Sequence, residues 1–395
     1  MNSDFLPTGD AFELNVWQKR QAALLYHFAS LEYLKGLKHR IDALISGADV
    51  LLDEAQAQGR DALIVNERWG ARDTSTNWGT YGFPALLDFQ QKTAKDIAKR
   101  AHEAYSITGA NQCARMLGEL SMRWATEDEE ESFKERSEKV YKYASYIDRV
   151  MDRYQHWNDG VVYNIWTGVE SEYSSLCTPR HADLFPRLPK FRVLTDVVAE
   201  IGKRPPRSGV YVAQDDPYAT LQFGWVGGET DGSLDECVTF NELGRLAVNA
   251  VGRDNLWNDS HELLEFVRKY YFKQFEDYLR EERGSRFNPD KHLNDPGWAS
   301  AFVSDCGITT HACKWIYVER VNDEYEEDDG EASADAIPEI QQRVPAGQAC
   351  PRSGWWHTPA RLGSRRRFTE GEMLPVIEDS DYGATFWLWA EDQSG

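Results

Sequence analysis

Cys306, His311 and Cys313 fall together in "CGITTHAC", and Cys350 and His357 lie farther on. Thiol and imidazole are the ligand types of zinc, but structural zinc sites pair their cysteines as CxxC, and that spacing is missing here. The five residues therefore read as ordinary thiols and surface or core histidines, and the sequence implies neither metal nor other cofactor. His102, His156 and His181 have acids near them in a chain that also carries "ERWGARD", "DRYQH" and "HWNDG", which is the raw material of general acid-base chemistry. Such neighbours arise by chance in any helical chain of this size. No GxSxG elbow, GxxxxGK[ST] loop or HExxH helix is present, so the commonest hydrolase, NTPase and metalloprotease signatures are absent. The glycine-rich "GWVGGETDGS" follows a strand pattern but lacks GxGxxG spacing, and its two acids oppose an anion. It reads as a connector.

The charge balance points the same way. With 44 Lys and Arg against 65 Asp and Glu, the net charge of the 395 residues is -21, which repels nucleic acid and anionic membranes and attracts a basic partner. The cationic run "RLGSRRRF", Arg361 to Phe368, is expected to pair with the protein's own acids. Two acidic stretches, Glu127 to Glu131 and Asp323 to Glu331, read as solvated faces that could also steer a basic partner. No apolar run approaches the roughly 20 residues of a membrane helix, the N-terminus lacks a signal peptide, and six scattered cysteines fit a reducing compartment, so a cytoplasmic protein is expected.

The elements that must position these residues change in texture along the chain. Apolar residues recur at helical spacing from Leu14 to Ile45, predicting one long amphipathic helix. A second helix is expected after Pro84, a third over Asn111 to Thr126, and a fourth from the acids at Glu127 to about Tyr154. Residues 1–175 thus read as a helical bundle. Residues 176–395 read as an α+β region, with a hairpin about "DDP" ending at Trp225, helices in "TFNELGRLAVNAVG" and, capped by Ser260, in "SHELLEFVRKYYFKQFEDYL", and a strand in "HACKWIYVERV". Residues 322–339 are acidic and nearly free of apolar side chains, as an exposed loop should be. The fold class expected is α+β.

A repeat stands out in that second region. "PRSGVYV" opens at Pro206 and "PRSGWWH" at Pro351, and the aromatic and β-branched residues behind each turn suit a strand with one buried face. Arg207, Ser208, Gly209, Tyr211 and Trp225 are matched to Arg352, Ser353, Gly354, Trp355, Trp356 and Trp389, with Ala219-Thr220 set against Ala384-Thr385 at the second strand. The expectation is a duplicated hairpin that joins one antiparallel sheet.

From about Arg204 to the end, "SGVYVAQDDPYATLQFGW", "TFNELG", "VPAGQACPRSGWWHTPA", "RRRFTEGEMLP" and "GATFWLW" together resemble the immunity proteins numbered 71 and 72 of bacterial polymorphic toxin systems. The resemblance implies a cytosolic protein that binds a cognate secreted toxin and blocks it, without catalytic residues of its own. Asp323, Glu324, Glu326, Glu327, Asp328 and Asp329 are then the candidate contacts to a basic toxin. The rival expectation is an enzyme, such as a hydrolase that reverses a modification the toxin makes.

Overall fold

The computed structural model describes residues 12–65, 70–152, 157–168, 184–326, 343–358, 364–377 and 385–389. The chain is α+β, helical first and sheet-bearing later, as the sequence predicts. It divides into two compact units, one of residues 1–239 with 310–329 and the other of residues 240–309 with 330–395. The division does not follow the expected one near residue 175, which itself lies outside the described residues, because the first sheet goes with the bundle.

In the first unit the expected N-terminal helix is two, α1 (Val16–Ala29) and α2 (Leu31–Ala57). Ser30 separates them: its backbone is extended, its hydroxyl donates to the His27 carbonyl at 2.7 Å, and the same oxygen accepts from Tyr33 N–H at 3.1 Å. One serine thus satisfies orphan groups of both helix ends. The short helices α3 (Asp61–Ile64) and α4 (Ser75–Tyr81) lead to α5 (Phe83–Lys99), with Pro84 in its first turn. Next, α6 (Ala110–Gly118) stops well before Thr126. Thr126 instead caps α7 (Glu127–Met151), in a reciprocal capping box with Glu129 whose carboxylate also meets Arg60 Nη1 at 2.6 Å. That hydrogen bond draws the Glu129 pKa down to about 2. After α8 (Asp159–Thr167), strands β1 (Pro189–Ala199), β2 (Gly209–Ala213), β3 (Gln222–Gly224) and β6 (Trp315–Tyr325) form an antiparallel sheet of order β1-β6-β2-β3. Strand β6 reaches Tyr325, so the expected acidic loop at 322 begins as strand. Helix α1 packs on this sheet: the Tyr26 hydroxyl donates to the Val318 carbonyl, and its ring stacks on Phe191 with centroids 6.2 Å apart.

Strands β4 (Cys237–Phe240) and β5 (Ile308–His311) form a two-stranded pair. Between them run α9 (Glu242–Trp257), α10 (His261–Tyr270), α11 (Phe272–Arg283), α12 (Pro289–His292) and α13 (Pro296–Cys306). The expected continuous helix after Ser260 breaks at Tyr271. A helix would turn Tyr270 and Tyr271 about 100° apart, whereas the break lets both rings reach Phe266, at 5.2 and 5.9 Å. The second unit also holds β7 (Arg343–Pro345), β8 (Gly354–His357), β9 (Arg366–Phe368) and β10 (Phe386–Trp389), an antiparallel sheet of order β7-β10-β8-β9.

The two Pro-Arg-Ser-Gly segments therefore do not join one sheet. They occupy the same place in two sheets of identical strand order and direction, in each of which the last strand inserts between the first and second. Register agrees as well. Gly209 pairs with Gly224, as Gly354 does with Phe368; Ala199 pairs with Trp315, as Val344 does with Trp387. The irregular backbone is repeated bond for bond. Tyr211 Oη donates to the Arg207 carbonyl at 2.7 Å, and Trp356 Nε1 to that of Arg352 at 3.3 Å. Ser208 Oγ accepts from Val226 N–H at 3.0 Å, and Ser353 Oγ from Glu370 N–H at 2.8 Å. Gly202 and Gly347, both with positive φ, donate to the Leu234 and Leu374 carbonyls at 2.9 and 2.7 Å. Finally, Trp315 and Trp387 send their indole N–H to the carbonyls of Asp235 and Pro375, at 2.9 and 2.8 Å.

This architecture corrects the sequence alignment. The counterpart of β3 is β9, not β10, and β10 corresponds to β6. "ACKWIYVE" at Ala312 then lies against "ATFWLWAE" at Ala384, with Ala, Trp and Glu shared. Trp225 has no equivalent in Trp389.

Candidate functional site

The chemistry-bearing residues gather beside the first sheet, and not as the ligand spacing suggested. Cys237 on β4 is fully buried in the cluster formed by Tyr211, Leu234 and Trp315, and Cys313 packs against the same cluster. The Cys237 Sγ lies 3.4 and 3.3 Å from the His311 ring nitrogens, and His311 Nε2 lies 3.2 Å from Oδ2 of Asp216, which is 5% exposed. His311 Nδ1 faces the Ala312 carbonyl at 3.1 Å, and a carbonyl can only accept. With a carboxylate at the other nitrogen, both ring nitrogens are best used as donors. The Ala312 bond and then Asp216 accordingly raise the His311 pKa above its ordinary value. A hydrogen bond from Cys313, helped by His311, lowers the Cys237 thiol, while the same bond raises that of Cys313.

The order Cys237, His311, Asp216 is that of a nucleophile, base and orienting acid. Access separates it from a working site, because Cys237 has no exposed surface while His311 is 44% exposed at its side chain. Of the other residues expected near it, Cys306 is exposed at the end of α13, where its carbonyl accepts from Asn241 Nδ2 at 2.6 Å. Cys350 and His357 belong to the second unit, with Cys350 buried in the core of its sheet. Among the described residues no group of three or more His, Cys, Asp or Glu side chains is arranged to hold a metal ion.

The opposite face of the same strand borders a cavity. Glu236 and Val238 line it while Cys237 between them points away, as the two-residue period of a strand requires. The cavity holds about 400 Å³ and is closed by β3, by the last turn of α7 and by Trp157. Its wall is aromatic at Trp157, Phe223 and Trp225 and acidic at Asp152, Asp235 and Glu236, with Arg149 the one cation among the described lining residues. A second cavity, of about 600 Å³ along α6 and α7, has balanced charge, with Arg123 and Lys134 against Glu130 and Glu138. Sequence reasoning missed both cavities, since their walls come from segments that no local pattern links.

The predicted motif residues lie in or beside the two sheets. Arg207 and Arg352 supply carbonyls to the bonds described above, Ser208 and Ser353 supply hydroxyls, and Tyr211 and Trp356 are fully buried. Trp225, 3% exposed, borders the cavity, whereas Trp355 stacks under the Arg365 guanidinium, 4.7 Å from its ring. Of the candidate partner contacts, Glu327, Asp328 and Asp329 lie outside the described residues, as do His156 and His181 and the Arg361 end of the basic run. Asp323 is an exposed strand residue with φ 57°, Glu324 pairs with Lys190 at 3.0 Å, and Glu326 pairs with Lys19 at 3.0 Å. Two of the three described acids are thus offset by the chain's own lysines. In the basic run, Arg366 pairs with Glu372 at 3.0 Å, the internal pairing expected of it.

No protein-family model matches the sequence, and no curated protein or solved structure matches it at a significant level. No described helix is long and apolar enough to cross a membrane.

Proposed function

We propose that this protein is a cytoplasmic immunity protein that neutralises a cognate secreted toxin by binding it. The observation that carries the reading is the division across β4. Among the described residues, the thiol that has a base beside it, Cys237, is sealed inside the sheet core although His311 is half exposed, while the open cavity on the other side has aromatic and acidic walls suited to recognition. The sequence resemblance from Arg204 onward and the net charge of -21 support the same reading, the charge favouring rapid association with a basic toxin.

Binding without turnover makes a quantitative demand. Protection of a susceptible cell, or inhibition of the toxin encoded beside this gene, should titrate at a fixed stoichiometry, and Cys237→Ser should protect as the parent does. Protection of many toxin molecules by one copy, or loss of protection in Cys237→Ser with toxin binding intact, would move the assignment to an enzyme that reverses the toxin's modification. The acids weigh less than the sequence suggests. Replacing Asp323, Glu324, Glu326, Glu327, Asp328 and Asp329 together by Asn or Gln should slow association severalfold at low salt, leave dissociation unchanged, and lose its effect at high salt.

A further inference from the structure

We propose that the cavity beside β3 and β4 receives an arginine side chain of the bound partner. This rests on the binding function above and names what is bound there. Three features converge on a planar organic cation. First, among the described lining residues the acids Asp152, Asp235 and Glu236 outnumber the one cation, Arg149. Second, Arg149 to Asp152 form the end of α7, a long helix whose last carbonyls lack intrahelical partners and whose dipole is negative there. Third, Phe223 on β3, Trp225 just beyond it and Trp157 belong to the same wall and give it the aromatic character that suits a cation. A guanidinium suits this combination, since it stacks on rings, forks onto a carboxylate such as that of exposed Glu236, and sheds water more readily than an ammonium. A volume of about 400 Å³ accommodates one such side chain with the backbone that carries it, at the lower end of the range for ligand pockets. Glu236 is exposed at the rim, where it meets an incoming charge first.

The test uses the full-length protein and the blocked peptide acetyl-Gly-Arg-Gly-amide, with acetyl-Gly-Glu-Gly-amide and free arginine as comparisons. The reporters are the indole ¹H–¹⁵N signals of Trp157 and Trp225, assigned with Trp157→Phe and Trp225→Phe. The arginine peptide should shift both signals saturably at millimolar concentration, the glutamate peptide should not, and Glu236→Lys should weaken the arginine peptide at least fivefold. Equal shifts from both peptides, or none from the arginine peptide, overturn the assignment, and tighter binding of free arginine than of the peptide overturns the choice of a protein partner. With the cognate toxin, Glu236→Lys should reduce affinity at least tenfold. Undiminished toxin binding by Glu236→Lys sinks the arginine pocket and leaves the immunity function standing, whereas absence of any toxin binding by the parent protein sinks the function itself.

Discussion

The two sheets share strand order, register and the turn that opens their second strand, yet they are finished differently. In the first, a helical stretch, α9 to α13, intervenes between β4 and β6, and α1 lies on the sheet, touching β2 and covering Val210, Val212 and Val318, each fully buried. In the second, only residues 369–385 separate β9 from β10, and the position of Val210 is taken by Trp355 under Arg365 while that of Phe223 is taken by exposed Arg367. One backbone plan therefore serves with an apolar face under a helix and with an aromatic and cationic face. The parts held constant are those that close the core, and the part that varies is the opposite face of each sheet, buried under α1 in the first and bearing Trp355 and exposed Arg367 in the second.

The strongest way to break this equivalence is through the two indoles. Trp315 and Trp387 are 0% and 2% exposed, fill the two sheet cores and make the same hydrogen bond to a carbonyl. Trp315→Ala and Trp387→Ala should each cost about 3–5 kcal/mol, read from hydrogen-exchange protection of the strands each side chain touches. If either were tolerated within about 1 kcal/mol, the shared register would not reflect a shared core.

Much of the plan was legible because it is local. Capping at Ser260, the acids in the first turn of α7, the proline in the first turn of α5, and the strand pattern behind each Pro-Arg-Ser-Gly all depend on neighbours in sequence. What was hidden is the long-range closure. The partner of β2 on its inner side, β6, lies beyond the whole α9 to α13 stretch, so the sequence match settled on the nearby Ala219-Thr220 in place of Ala312-Cys313. The Ser30 and Tyr271 breaks were hidden for a different reason, since apolar periodicity continues across both while a hydroxyl and a ring contact interrupt the backbone. The candidate site shows the same division. Its thiols and histidine were visible as residue types, but Cys237 reaches His311 only through the pairing of β4 with β5, and Asp216 only through the pairing of β2 with β6, and no spacing rule connects those segments.

The glycines of the repeated turn sharpen the comparison at a smaller scale. Gly209 has φ 151°, and a Cβ there would lie 2.7 Å from Cε2 of Tyr317 and 3.0 Å from the Tyr26 hydroxyl. Gly354 is not among the glycines with positive φ. Gly209→Ala should therefore destabilise by about 2–3 kcal/mol and Gly354→Ala by under about 1 kcal/mol, measured in the same denaturant series. Equal costs would mean that the turn itself, and not the roof formed by Tyr26 and Tyr317, demands glycine.

The smallest effect is expected where the sheets exchange one polar device for another. Cys237 and Cys313 occupy the positions held in the second sheet by Ile377 and Thr385, and the contact is conserved in form. Thr385 Oγ1 accepts from Ile377 N–H at 2.9 Å, and the Cys313 thiol likewise takes a hydrogen bond from the Cys237 backbone. If the sites are equivalent, writing the second sheet's pair into the first as Cys237→Ile with Cys313→Thr should be nearly neutral, within about 1.5 kcal/mol, since each new side chain brings the partner it needs. The single variants should cost more than the double allows by addition: Cys237→Ile alone adds bulk beside a retained thiol, and Cys313→Thr alone sets a hydroxyl against the Cys237 sulfur. A coupling of about 1 kcal/mol in the double-mutant cycle is the expected outcome. Strict additivity would show that the two positions do not interact as their counterparts do. A double variant costing above about 3 kcal/mol would show that His311 and Asp216, which sit beside the thiols, have shaped the first site beyond the common plan.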